Sequence, residues 1–294
     1  MNLTHNRKPR GLALAMFGAI LLTPDTLFMR LSELDGFSML IWRGGLSGIA
    51  YFFIWTLFIW RVERQVPNVL TANFLTIVLC QMFNATLFSL AIAIAPVAIV
   101  LIAVATVPIF AAIFSRIILG ETLSNLTLVT TVLVIIGIGI SVLDQADSRI
   151  VLSAETLHGA ILGLGVAITL AMNFTIIRKD KNVPFVLAIA IGALLAAALG
   201  VVCADALYLP NLRSTATIAV TGIIILPLSF VTLSYAARFV PSSTVSLIML
   251  LETVLGPLWI WWGIGEAPTN GMLIGGGLVV ICLTGFLIKE SKGN

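Results

Sequence analysis

The chain has 294 residues, of which 60% are hydrophobic and only 10% charged, with a formal net charge of +3 and a mean hydropathy of +1.13. A soluble domain carries roughly 25% charged residues, so this composition excludes a soluble globular enzyme, a disordered chain and a nucleic-acid-binding domain. It leaves a multi-pass membrane protein. Ten helical spans of about 20 residues each would leave no room for an extramembrane domain of ordinary size.

Apolar runs separated by short polar breaks predict ten helices, over 11–30, 37–60, 71–94, 97–119, 124–143, 158–177, 184–205, 215–237, 241–263 and 270–288. Runs of this length without two-residue alternation are helices, not barrel strands, and the expected fold is an all-α membrane protein. The first run follows Arg7, Lys8 and Arg10 and continues past Pro24-Asp25 without a small-residue cleavage site, which makes it a span and not a signal peptide. The third and fourth runs are parted only by Ala95-Pro96 and predict a tight hairpin. With both termini in the cytoplasm, 12 of the 16 lysines and arginines fall on inner segments, while Arg30, Arg43, Arg149 and Arg213 fall outside. This is the positive-inside bias, and one span more or fewer would scramble it. Trp55 and Trp60 mark inner ends, and Trp42, Trp259, Trp261 and Trp262 mark outer ends, as an interfacial belt.

Pro96, Gly120, Glu121 and Asn125 recur at a constant offset of 145 as Pro241, Gly265, Glu266 and Asn270. The offset divides the chain into five-helix units, 1–147 and 148–294. Five is odd, so consecutive units have opposite orientation. Two inverted five-helix repeats are a hallmark of secondary transporters, whose substrate site lies near the midplane between the halves.

On these residues the chain resembles the drug/metabolite transporter superfamily in its ten-helix EamA-type branch. The resemblance rests on the Gly-Glu turns Gly120-Glu121 and Gly265-Glu266, the Gly-rich helices that follow them, Arg43 and Pro108, and the Leu251-Glu252 pair. It departs from the family where Thr23-Pro24-Asp25 replaces a common Trp-Gly and where Thr253 replaces a Pro. Within the branch, bacterial amino-acid exporters such as the aromatic amino-acid exporter are the most similar in length and layout. The resemblance implies a small amino acid or related metabolite as cargo, exported across a bacterial inner membrane. Export of unrelated drugs or other metabolites is the alternative, and a channel is a further one.

Ionisable residues inside spans are functional candidates by default, and two acids lie there, Asp25 and Glu252. Pro24 is expected to break the first span beside Asp25, which either lines a ligand site or pairs with Arg30 or Arg43. Glu252 either holds a substrate ammonium, carries a coupling proton or ties helices together. Gln81 with Asn84, Thr169 with Asn173, and Ser242 with Ser246 lie at spacings that share a helix face, so Gln81, Asn84, Thr169, Asn173 and Ser246 are candidate cavity residues. Trp42, Phe88, Tyr235 and Trp259 offer aromatic surface. Pro96, Pro108, Pro227, Pro241 and Pro257 are candidate bending points for alternating access. Gly44/Gly48, Gly159/Gly163 and Gly271/Gly275 predict close helix packing within the fold or across a dimer, so the chain is read as a monomer or homodimer. Cys80, Cys203 and Cys282 have no metal or pairing spacing. The two distant histidines form no catalytic constellation, and no phosphate-cradling Gly-rich loop occurs. No metal, cofactor, ATP or enzymatic activity is therefore expected.

Overall fold

In a bilayer every backbone polar group must be satisfied within the chain, which the apolar runs achieve as helices. The computed structural model describes residues 7–59, 69–95, 97–122, 124–145, 154–204, 210–265 and 270–292, and their regular structure is helical. Trp60, Arg61, Arg64, Pro96, Arg149 and Glu266 lie outside them. We number the helices α1 (Arg7–Leu22 and Asp25–Ser32), α2 (Gly36–Ile54), α3 (Ala72–Ile94), α4 (Val97–Val104 and Val107–Phe114) and α5 (Asn125–Gln145). They continue as α6 (Ala154–Lys179), α7 (Phe185–Cys203), α8 (Leu212–Ala219 and Leu226–Ala237), α9 (Ser242–Met249 and Leu251–Ile264) and α10 (Asn270–Lys292). Among the described residues nine helices are long and apolar enough to cross a membrane, and Asn125–Ile140 of α5 is a shorter apolar stretch. Lys8 of α1 and Glu290 of α10 form an ion pair at 3.0 Å, so those two ends share one face.

Three helices are interrupted, and the local chemistry is the same each time. Pro24 has no N–H for the carbonyl of Ile20, so Thr23 supplies both its amide, at 3.2 Å, and its hydroxyl, at 2.8 Å. In α4 the break falls at Ala105-Thr106, just before Pro108, and the Thr106 hydroxyl donates to the Ala103 carbonyl at 2.6 Å. In α9 the break falls at Leu250, whose carbonyl accepts the Thr253 hydroxyl at 2.7 Å. Pro257 sits inside the continuous piece Leu251–Ile264 and not at the break. A threonine bonding back to its own helix loosens the local ladder, and here it bends α9 where no proline stands. Pro227 is in the first turn of the second piece of α8, after a wide π-helical turn over Val220–Ile225. Pro241 precedes α9 in the connection from α8.

The helix ends use ordinary capping chemistry. Asp35 starts α2 by accepting the amides of Phe37 and Ser38 at 3.0 Å and the Ser38 hydroxyl at 2.6 Å. Those bonds favour the carboxylate and lower its pKa. Replacing Asp35 with alanine is expected to cost about 0.5–1 kcal/mol. Because the folded pKa is depressed, this contribution is complete above the ordinary aspartate pKa and is lost as pH falls through the folded value. Thermal unfolding of wild type and variant across acidic pH checks both statements; a gap between the two that does not shrink in acid contradicts the second.

Small residues let backbones approach. A Cβ on Gly48 of α2 would lie 2.7 Å from Leu194 Cγ on α7 and 3.1 Å from the Ala190 carbonyl. One on Gly163 of α6 would lie 2.7 Å from Ala103 Cβ on α4, and one on Gly137 of α5 would lie 2.8 Å from the Gly275 carbonyl of α10. Gly48, Gly163 and Gly275, one from each predicted Gly spacing, are therefore used between helices of this one chain. The resulting neighbours are α2 on α7, α5 on α10, α3 on α6 and α7, α1 on α8, and α4 on α6 and α9. Large apolar side chains such as Phe58, Ile117 and Ile281 are left exposed on the outside, where lipid rather than water meets them.

Candidate functional site

The interruptions converge on one cavity. Leu22 and Asp25 flank the α1 break, Val104 precedes the α4 break, Met249 and Glu252 flank the α9 break, and Leu226 follows the wide turn of α8, and all of them line it. Non-helical backbone at membrane depth is tolerated where it is buried in protein or lines a cavity, and here it does the second. Helices α1, α3, α4, α6, α8 and α9 contribute lining residues, and so does α2.

The polar centre is an ion pair. Arg43 of α2 donates Nη2–H to Asp25 Oδ2 at 2.5 Å, with Arg43 8% and Asp25 1% exposed. Asp25 occupies the first turn of a half-helix, where amide dipoles favour a negative charge. The Arg43 guanidinium also lies 5.5 Å from the centroid of the Phe88 ring, a cation–π distance. Two atoms of the pair remain buried without a partner among the described residues, Asp25 Oδ1 and Arg43 Nε. Asp25 takes the pairing with Arg43 that the sequence offered, and it does so on the cavity wall.

Glu252, half-buried, stands in the first turn of the other half-helix, Leu251–Ile264. It lines the same cavity and lies within no ion-pair distance of a basic side chain among the described residues. Gln81 and Asn84 enter from α3; Gln81 Oε1 accepts from Asn173 Nδ2 of α6 at 3.4 Å, and Asn84 Nδ2 makes a long contact of 3.5 Å to the Val166 carbonyl. Phe88, Phe230, Leu40 and Met249 give the apolar wall.

Asp25, Gln81, Asn84, Phe88 and Glu252 thus meet on the cavity, with Asn173 one hydrogen bond behind Gln81. Trp42, Thr169, Tyr235 and Ser246 do not line it. Trp42 precedes Arg43, so it points about 100° away around the helix and packs on a separate cluster of Met29, Leu34, Met39 and Ile218. Val166 and Leu170 present the cavity face of α6, and the Thr169 hydroxyl instead donates to the Gly165 and Val166 carbonyls. Tyr235 stacks edge-on against Phe185 at 4.9 Å in the last turn of α8, beside Arg238. The Ser246 hydroxyl donates to the Ser242 carbonyl of its own helix. Trp259 donates its indole N–H to the Thr23 hydroxyl at 2.8 Å, tying α9 to the α1 break.

Residues 9–143 match the model of the EamA-like transporter family. That match spans just under half of the chain and says what this stretch is similar to. The proteins that carry such domains are membrane transporters of small molecules. One solved crystal structure superposes on the chain with a TM-score of 0.80 at 14% identity, covering 94% of this chain and 96% of the other. At that identity the likeness is one of fold. No curated protein matches the chain.

For the site, the sequence names Arg43 only as a possible partner of Asp25 and gives no role to Ser47 and Tyr51, yet all three are on the cavity. Tyr51 is 1% exposed and donates its hydroxyl to the Leu226 carbonyl across the interface at 3.0 Å. A signal existed: Arg43, Ser47 and Tyr51 are spaced i, i+4, i+8 and share one helix face. The charge count places Arg43 with the outer segments, whereas it lies seven residues beyond the start of α2.

Proposed function

We propose that the whole chain is an EamA-type secondary transporter that exports a small amino acid or related metabolite across a bacterial inner membrane by alternating access. The observation that carries this reading is a cavity at which helices of 1–147 and of 148–294 meet, with a backbone interruption from each half on its wall. An inverted pair of five-helix repeats is supported by three further features. The α4 and α9 breaks at Ala105 and Leu250 are 145 residues apart, as are Gly120 and Gly265, which both end a helix in the left-handed region, at φ 68° and 84°. Exchanging each helix for the one five positions away carries the α3–α6 contact onto α8–α1, and leaves α2–α7, α4–α9 and α5–α10 unchanged. Rocking one half against the other about these breaks would open the cavity to each side in turn.

The test is counterflow in proteoliposomes loaded with one amino acid at a time. Labelled solute is expected to accumulate transiently against excess internal solute and to saturate. Linear, non-saturating flux would indicate a pore, and no exchange of any amino acid would overturn the cargo class.

A further inference from the structure

The charges on the cavity wall do not balance. Asp25 and Glu252 face it with two carboxyl groups, and Arg43 is the only basic residue among the described residues that line it. Arg43 is engaged by Asp25 Oδ2 and by the Phe88 face, which leaves Glu252 with no ion-pair contact of its own among the described residues. Asp25, 1% exposed, also keeps Oδ1 without a partner, so the unmet groups are mainly acceptors. The half-helix start beside Glu252 offsets about 0.3–1 kcal/mol of this, well below what a positive ion would contribute in a water-poor site.

We propose that the cargo site is built for a monovalent organic cation: an ammonium group held between Glu252 and Asp25 Oδ1, on an apolar body lying against Phe88, Phe230, Leu40 and Met249. This rests on the reading of the cavity as the cargo site and deepens it. With the cation bound, two carboxylates face two positive groups. An amino-acid zwitterion adds a third carboxylate to the same wall, for which the guanidinium, already held by Asp25, has only Nε to offer. The site therefore reads the amine, and the amine that remains when an amino acid loses its carboxylate fits it better than the amino acid does. Hydrogen-bonding groups on the body can be met by Arg43 Nε and by Asn84.

The experiment measures binding to purified protein in detergent, separately from transport, with four probes of similar size: 2-phenylethylammonium, 2-phenylethanol, phenylalanine and 3-phenylpropanoate. The ammonium is expected to bind tightest, by about tenfold or more over the alcohol and the zwitterion. Glu252→Gln should erase that margin while leaving the affinity for the alcohol unchanged. Glu252→Met, a second neutral side chain of similar length, is read the same way. Tighter binding of phenylalanine or 3-phenylpropanoate than of the ammonium overturns the proposal, as does a cation preference that survives both substitutions, or no binding of any probe at millimolar concentration. If the binding order holds while proteoliposomes show no counterflow, the transport reading fails and the cation site stands.

Discussion

Replacing Arg43 with alanine is expected to destabilise the folded protein by about 3–5 kcal/mol, because it leaves the Asp25 carboxylate buried without its partner. Asp25 is 1% exposed and its other oxygen already lacks a hydrogen bond, so nothing nearby replaces the guanidinium. The loss would also strip the cation from the Phe88 face. Breaking a buried pair on one side is costly, whereas removing both charges is much less so. The combined variant Asp25→Asn, Arg43→Gln should therefore recover most of the stability that Arg43→Ala loses. Thermal unfolding of the detergent-purified proteins reads both effects. Equal melting temperatures for wild type and Arg43→Ala would mean that the pair does not hold α1 to α2, and a double variant no better than Arg43→Ala would assign the loss to packing rather than charge.

The second large effect is expected at Gly192 on α7. A Cβ there would lie 2.5 Å from the Val78 carbonyl and 2.7 Å from Gln81 Cβ on α3. The carbonyl belongs to a helix backbone and cannot swing away, so even alanine must push α3 from α7. Overpacking of this kind costs about 1–3 kcal/mol. It also shifts Gln81 on the cavity wall, so binding of solute should weaken along with stability. Gly45→Ala is the matched control, since its Cβ would meet only Ala197 Cβ at an ordinary 3.8 Å. If Gly192→Ala melts with wild type, or if Gly45→Ala falls as far, close approach at Gly192 is not what seats these helices.

Both effects mark the boundary of what was legible in the chain itself. The apolar runs located the helices to within a few residues, because a bilayer leaves the backbone no other solution. Pro24 and Pro108 announced two of the interruptions, since a missing N–H acts locally. The α9 interruption was misread: Pro257 is inside a continuous piece, and the bend lies at Leu250, where a threonine hydroxyl competes for a carbonyl. That competition depends on a side-chain rotamer, which composition does not reveal. Gln81, Asn84 and Phe88 were readable because their spacing places them on one face of α3. Trp42 and Thr169 failed the same reasoning by a single residue, since neighbouring positions on a helix point about 100° apart.

The opening composition, 60% hydrophobic with 10% charged, determined by itself that this chain is a helical membrane protein, and Asp25 and Glu252 stood out as its costly intramembrane acids. Only the tertiary structure decided that they share one cavity, that Arg43 makes its ion-pair contact with Asp25, and that Tyr51 bonds across to Leu226. The physical reason is that insertion into a bilayer depends on each segment's own length and polarity, whereas pairing of charges depends on which faces of separate helices are brought together. That is set by close-packed contacts such as Gly48 on Leu194 and Gly192 on Val78, between residues more than a hundred positions apart in the chain.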